Sequence, residues 1–529
     1  MTTIPHLSVR AALVCSLLAG AISALALLFG HAGSADGAGT NITVAGRGDT
    51  GQLEFERGTL SLAIQKPTSL AFGPDGRLYV ASETQIVALT LDAGTNAILD
   101  IEQIANAVEG VLGIAFDPAA TTLALYASRQ EPGATPGYQG VVSVFTAPSW
   151  ERTDVITGLP SSAPLLNHLT NGLAFDAAGR LFIAQGSNTD AGIPDPPGDE
   201  LYWPESPLSA AILVASIHAP GFDGALTYDP PGEPVDHNVD LVSGDVAVYA
   251  SGLRNAYDLV LHSNGHIYAT ENGALGQSVS LSCTEDGGNS STADELNLIE
   301  EGNYYGFPNR NRGRFDARQC TYRPPEEASG GGYTAPIAVL PNHCSCDGIA
   351  EYTAAAFNGA MLGDLIYVEL IRGNVTRAVL SPDGRSVLQT ATLAGDLDWP
   401  LDVTVRADGT IFIAEFQGNK ITYLVPVPGV KPTATATPVV PPSATATSTP
   451  APTASPTPMA TPTPTPARPA GDADCSGLVN SIDAAFVLQL VAGLIGAVPC
   501  PLAADTNGSG EIDAIDATLI LQIDAGLLG

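Results

Sequence analysis

Positive charge is what this chain has least of. Lys and Arg total 21 against 55 Asp plus Glu, a formal net charge of -34. A polyanionic backbone would be repelled by such a surface, so a nucleic-acid partner is excluded. Helical periodicity is nearly absent before residue 425, which excludes a helix bundle for the main body. Cysteine is sparse as well, at seven residues, and one of these, Cys15, lies inside an N-terminal apolar run. The CxC at Cys344 and Cys346 has no further ligand-spaced cysteines, which argues against zinc and for a disulfide-held loop. With 14% charged and 45% hydrophobic residues the chain is apolar enough to fold. At 529 residues it is too long for one core, so two or more domains are expected.

What is present divides the chain into four. Arg10 precedes the run "AALVCSLLAGAISALALLF" and the small residues after it, the form of a secretory signal over residues 1–35 with cleavage near Ala35. An uncleaved anchor is the competing reading, and membrane attachment follows only in that case. Either way the body is expected to be exported, extracellular or attached at the cell surface. Residues 45–425 carry the main domain. Residues 426–470 are a Pro/Thr-rich linker in which Pro fixes φ and removes backbone donors, giving an extended spacer. Residues 471–529 form a small separate module.

In the main domain one phrase recurs six times: an apolar alternation, a turn with Asp-Gly or its equivalent, then a second alternation. "SLAFGPDGRLYVAS", "GIAFDPAATTLALYAS", "GLAFDAAGRLFIAQG", "DLVLHSNGHIYATENG", "AAFNGAMLGDLIYVEL" and "DVTVRADGTIFIAEF" are the copies. Each reads as a β-hairpin. Six hairpins over some 380 residues, with unequal insertions between them, predict an all-β fold, a six-bladed β-propeller. A pair of β-sandwiches is the alternative. The longest insertions fall on either side of the fourth copy, and long loops on a rigid scaffold are where sites are built.

The tail holds two twelve-residue loops, "DADCSGLVNSID" and "DTNGSGEIDAID", offset by 33 residues from Asp472 to Asp505. Oxygen donors stand at positions 1, 3, 5, 7, 9 and 12, with Gly at 6 for the sharp turn, which is the EF-hand pattern for calcium. The candidate ligands are Asp472, Asp474, Ser476, Leu478 (carbonyl), Asn480 and Asp483, then Asp505, Asn507, Ser509, Glu511 (carbonyl), Asp513 and Asp516, for two ions. Each loop runs into an amphipathic helix, expected over 484–494 and 517–527 with Val487, Leu490, Val491 and Leu494 on one stripe. With so little core, metal binding should supply much of the folding energy, and a Cys475–Cys500 disulfide could assist.

The duplicated loop and helix behind a Pro/Thr spacer resembles a type I dockerin, which implies a cohesin module on a scaffoldin or cell-surface protein as partner. Ser481, Ile482, Ala514 and Ile515 occupy the partner-selecting positions of that family.

Residues 50–425 resemble the glucose/sorbosone dehydrogenase propellers. The phrases that carry the resemblance are "EGVLGIAFDP", "NHLTNGLAFDAAGRLFIAQGSN", "YASGLRNAYDLVLHSNGHIYATENG", "ADELNLIEEGNYYGFP" and "PLDVTVRADGTIFIAEF". The resemblance implies a sugar (aldose) dehydrogenase using pyrroloquinoline quinone (PQQ) with additional calcium. His168 would be the catalytic base, Arg254, Asn255 and Arg372 would lie at the cofactor, and Glu271 and Glu295 would be calcium ligands. This chain departs from the pattern at Trp399 and Leu401, where the family has arginines, and at Asn171, where it has glycine. A non-catalytic carbohydrate- or protein-binding propeller is the alternative, with a calcium-dependent lactonase behind it. No suitably spaced carboxylate pair supports a glycosidase.

Overall fold

The computed structural model describes residues 41–45, 52–131, 138–161, 168–189, 205–229, 240–273, 293–312 and 334–427 of the main body. In the tail it describes 470–471, 473, 479, 481–491, 498, 500–507 and 512–524. The expected signal segment and nearly all of the linker lie outside these residues. Two compact units divide after residue 437.

The first unit is the six-bladed propeller. Blade 1 runs Pro67–Phe72, Leu78–Ser82, Gln85–Leu91 and Ile98–Asn106. Blade 2 runs Gly113–Phe116, Ala124–Gln130, Tyr138–Thr146 and Glu151–Pro160. Blade 3 takes Thr170–Phe175, Leu181–Gln185, Ala211–Ala215 and Val246–Ser251. Blade 4 takes Ala256–Leu261, Ile267–Glu271, Ala293–Ile299 and Ala338–Asn342. Blade 5 is Cys346–Glu351, Leu365–Glu369, Asn374–Leu380 and Val387–Ala394. Blade 6 is Pro400–Val405, Ile411–Glu415 and Lys420–Pro426, completed by the N-terminal strands Gln52–Thr59 and Asn41–Ala45. The first strand of every blade neighbours that of the next, and blade 6 packs on blade 1, so the ring closes without a free inner edge. Pairing of Phe55 with Pro426 through Thr59 with Thr422 fastens the two ends of the domain together.

The recurrent phrase explains the packing. Five of the six copies supply the first two strands of a blade, and Gly76 and Gly409 take φ of +79° and +92° in two of the connecting turns. The fifth, residues 355–370, is not the expected hairpin: it gives only the second strand of blade 5, Leu365–Glu369, while Ala356–Gly359 is a short 3-10 turn and the inner strand Cys346–Glu351 lies ahead of it. The Phe that ends an inner strand sits edge-on to an aromatic of the preceding blade's second strand. Phe72 meets Phe412 at 5.5 Å, Phe116 meets Tyr79 at 4.7 Å and Phe175 meets Tyr126 at 4.9 Å between ring centroids. Polar latches add to this apolar seam. Asp402 accepts from Leu70 N (2.6 Å), Asp258 from Ile349 N (3.2 Å) and Ser69 from Ile114 N (3.3 Å), each tying one blade to the next. Glycine makes room for two of them: a Cβ on Gly348 would stand 2.5 Å from Asp402 Cα, and one on Gly172 2.8 Å from Asp258 Cα.

In the second unit, helices span Ser481–Val491 (α1), Pro501–Ala504 (α2) and Ala514–Asp524 (α3). The long helices begin three residues earlier than expected, because the closing Asp of each loop already lies in the first helical turn. Ala484, Val487, Ala517 and Ile520 form the small core, whereas Val491 is 47% exposed and leaves the expected stripe. Among the described residues no helix is long and apolar enough to cross a membrane.

Candidate functional site

All six inner strands start on the same face of the ring, so the loops leading into them and the hairpins after each second strand line one mouth. His168 and Arg254 lie just before the inner strands of blades 3 and 4, and Trp399 before that of blade 6. Arg372 follows the second strand of blade 5.

His168 is buried at 4% exposure, and its Nδ1 lies 2.8 Å from Ser187 Oγ. Ser187 spends its one hydroxyl proton on the Thr189 carbonyl at 2.5 Å. Ser187 must therefore accept from Nδ1–H, which leaves the basic lone pair on Nε2. Burial, then the charge of Arg254, push the imidazole pKa well below its ordinary value, so the ring is neutral at neutral pH. Gly186 lets the backbone approach: a Cβ there would stand 2.7 Å from His168 Cβ and 2.8 Å from Asn255 Oδ1.

A line of amides continues from the histidine across three blades. Asn171 donates to Asn255 Oδ1 (2.9 Å) and to the Ala256 carbonyl (3.0 Å). Asn255 donates to Asn272 Oδ1 (3.0 Å), and Asn272 donates to Asp347 Oδ1 and the Cys346 carbonyl, both at 3.2 Å. Asn171, the departure from the family glycine, thus braces Asn255. The Arg254 guanidinium donates to the carbonyls of Gly273 (2.9 Å) and Asn272 (3.3 Å), while its backbone N–H reaches Glu271 at 2.5 Å. Arg372 stands elsewhere on the rim, its side chain 53% exposed and 3.7 Å from Glu369.

Beneath Arg254 lies a buried acidic group. Glu271 and Glu295 are cross-strand partners, and Asn297 Nδ2 donates to both, at 3.0 and 3.2 Å. Burial raises Glu295 to about 7 and neighbouring Asp294 to about 6. Asn297 Oδ1 is buried with no hydrogen-bond partner. Turning that amide over would point a third oxygen at the two carboxylates, an all-oxygen set that fits a hard cation such as calcium. Cys344 and Cys346 are joined in a disulfide, as the CxC spacing suggested, and Asp294 accepts from Cys346 N at 2.9 Å.

A tricarboxylate quinone does not fit the described residues. Burying a trianion needs several cations free to pair with it. Lys66 is paired with Glu83 (3.3 Å), Lys420 with Glu415 (3.4 Å) and Arg372 with Glu369, while Arg254 is committed to carbonyls. Blade 6 offers an apolar wall instead, where Trp399 and Phe416 pack against Leu401, Leu370 and Tyr257.

In the tail, Asp483 and Asp516 are fully buried. Asp516 accepts from Asn507 N (3.1 Å) and Asp513 N (2.9 Å), so both described ends of the second loop bond its closing carboxylate. Asp505 and Asn507 lie at the loop's start. Buried carboxylates among oxygen donors fit calcium. Asp472, Asp474, Ser476, Leu478, Asn480, Ser509 and Glu511 lie outside the described residues. Cys500 is disulfide-bonded, and Cys475, its expected partner, also lies outside them.

Sequence reasoning did not find Ser187, Asn272 or Asn297. The only signal was local: polar side chains in "ADELNL", within a strand otherwise apolar and buried.

Fold and site together define a sugar-dehydrogenase-like propeller carried on a calcium-loop docking tail. The chain belongs to the family described as Glucose / Sorbosone dehydrogenase, whose profile matches residues 64–422. Residues 470–522 match the Dockerin type I domain, which implies calcium binding and a cohesin partner. No curated protein matches the chain. Among solved structures, the chain is similar to a Trichoderma reesei carbohydrate-active enzyme of family AA12, at 16% identity and TM-score 0.50, over 74% of this chain and 99% of that one. It is similar to the pyranose dehydrogenase PQQ domain of Coprinopsis cinerea at 14% identity and TM-score 0.50, over 73% and 97%. The PQQ-bound aldose sugar dehydrogenase of Streptomyces coelicolor matches at 20% identity and TM-score 0.46, over 70% and 98%. The first two share the propeller fold.

Proposed function

We propose that this chain is an exported, sugar-oxidising propeller of aldose dehydrogenase type, held on a cohesin-bearing partner by a calcium-loaded dockerin. The observation that carries the enzymatic part is His168: buried, neutral, and fixed by Ser187 with its basic nitrogen at Nε2. A neutral imidazole in that tautomer can take the proton of a sugar hydroxyl. Asn255 and Arg254 would orient the substrate's oxygens, the second through the charge it holds beside the imidazole. Glu271, Glu295 and Asn297 would hold a calcium ion, which would offset the acidic group under Arg254. Oxidation also releases a hydride from the carbinol carbon, which a quinone-class acceptor would have to take; the described residues assign no site for one, so the chemistry argued for this face stops at deprotonation by His168.

The test is dye reduction with a panel of aldoses, in one arm with PQQ and calcium and in another without. Turnover in either arm that His168→Ala lowers by roughly 10²–10⁴-fold supports the reading. No turnover in both arms removes it. A second reading, a propeller that binds glycans without reaction, is favoured by the apolar wall of blade 6 and the paired state of the rim cations. It predicts retention on a carbohydrate array without dye reduction.

A further inference from the structure

The carboxylate that orients a catalytic histidine usually touches it, yet here Nδ1 of His168 meets the Ser187 hydroxyl, and a carboxylate joins that line at Thr189, two residues further on. Glu205 is 4% exposed, at the far end of the insertion that follows the second strand of blade 3. Its Oε1 accepts from Thr189 N (2.8 Å) and Thr189 Oγ1 (2.5 Å), and its Oε2 from Asn188 N (3.2 Å) and Ser209 Oγ. Four donors on two oxygens suit the ionised form, which can only accept. Burial raises the Glu205 pKa, and the Ser209, Thr189 and Asn188 donors oppose that rise. The turn that carries Glu205 is itself clamped. Asn309 donates to the Ser206 carbonyl (2.8 Å), and Arg312 donates to the carbonyls of Pro207 (2.8 Å) and Ser209 (2.7 Å).

We propose that Glu205 is the positioning residue of the His168 face. By gripping Thr189 at its N–H and hydroxyl, Glu205 aims the Thr189 carbonyl at Ser187. That carbonyl takes the Ser187 proton, and Ser187 is left able only to accept from His168 Nδ1–H. The charge thus acts at a distance, through the direction of a hydroxyl. Arg254 and His343, which face the ring from the loops before blades 4 and 5, both disfavour a second positive charge on it, while the Ser187 backbone carbonyl opposes them by accepting from the ring. Orientation of the neutral ring is therefore what the Glu205 line contributes. The catalytic consequence rests on the reading of His168 as the base, whereas the tautomer does not.

The experiment is ¹⁵N-imidazole NMR of the full chain labelled at histidine, with the His168 resonances assigned by their loss in His168→Gln. Wild type should show one tautomer, Nδ1–H, from pH 6 to 8. Glu205→Gln places a donor where four donors point, and should give a mixture of tautomers while circular dichroism stays unchanged. If sugar turnover is present, its kcat should fall at least 10-fold with KM changed less than 2-fold. A single Nδ1–H tautomer persisting in folded Glu205→Gln overturns the proposal. If that variant does not fold, Ser187→Ala cuts the same line one link later, and persistence of Nδ1–H there overturns it equally. An inactive wild type whose tautomer still depends on Glu205 removes the enzymatic reading and leaves this one standing; activity with an unaffected tautomer does the reverse.

Discussion

Asp402 closes the latch between blades 6 and 1 by accepting two backbone N–H groups, from Leu70 and Val403 (2.7 Å). Burial outweighs those donors and raises its pKa to about 7. An unfolded Asp titrates near 3.9, so the folded state holds the proton more tightly and stability falls as pH rises from about 4 through 7. With calcium removed by EDTA, the propeller's melting temperature should drop between pH 5 and pH 8. Asp402→Asn should flatten that slope, with a ceiling of about 4 kcal/mol on the difference; an unchanged slope in calorimetry contradicts the assignment. Such residues are hard to read in advance. Asp402 sits in "PLDVTV" like any strand-edge acid, and only the closure of blade 6 onto blade 1 sets its carboxylate against Leu70. Ser187 and Glu205 were equally hidden, because they stand 18 residues apart in the sequence and are connected through Thr189. His168 and Arg254 were named from resemblance rather than from their surroundings.

At the scale of elements, the inner hairpins were the legible part. Alternation and tight turns mark the first two strands of every blade but the fifth, because those strands are buried and closely joined; in blade 5 thirteen residues separate Cys346–Glu351 from Leu365–Glu369, and the inner strand was missed. The outer strands carry no such mark: Ile98–Asn106 alternates weakly, with exposed Leu99 and Ile101. The fastening of blade 6 by Gln52–Thr59 is a pairing between residues more than 360 positions apart, and no local pattern could announce it. One prediction belongs here. Gly348→Ala would drive a Cβ to 2.5 Å from Asp402 Cα, and backbone cannot yield as a side-chain tip can. Denaturant unfolding should show a loss of about 1–3 kcal/mol, whereas Gly76→Ala, with nothing within 4 Å, should show only the cost of its positive φ. Equal effects would contradict the interlocked-blade account. In the tail, the helix starts were not legible, because Asp483 and Asp516, the expected closing ligands, already lie in the first helical turn.

For the molecule as a whole, the two compact units correspond to a propeller body and a separate dockerin module. The proposed link to a cohesin-bearing partner rests on the two calcium loops expected in the tail. The most direct test of it is calcium titration by calorimetry into EDTA-stripped full-length protein, alongside the Asp483→Ala/Asp516→Ala double variant. The account predicts that the variant binds two fewer ions than wild type and loses the gain in helical circular dichroism that calcium brings. Identical stoichiometry and identical spectra for the two proteins would contradict it.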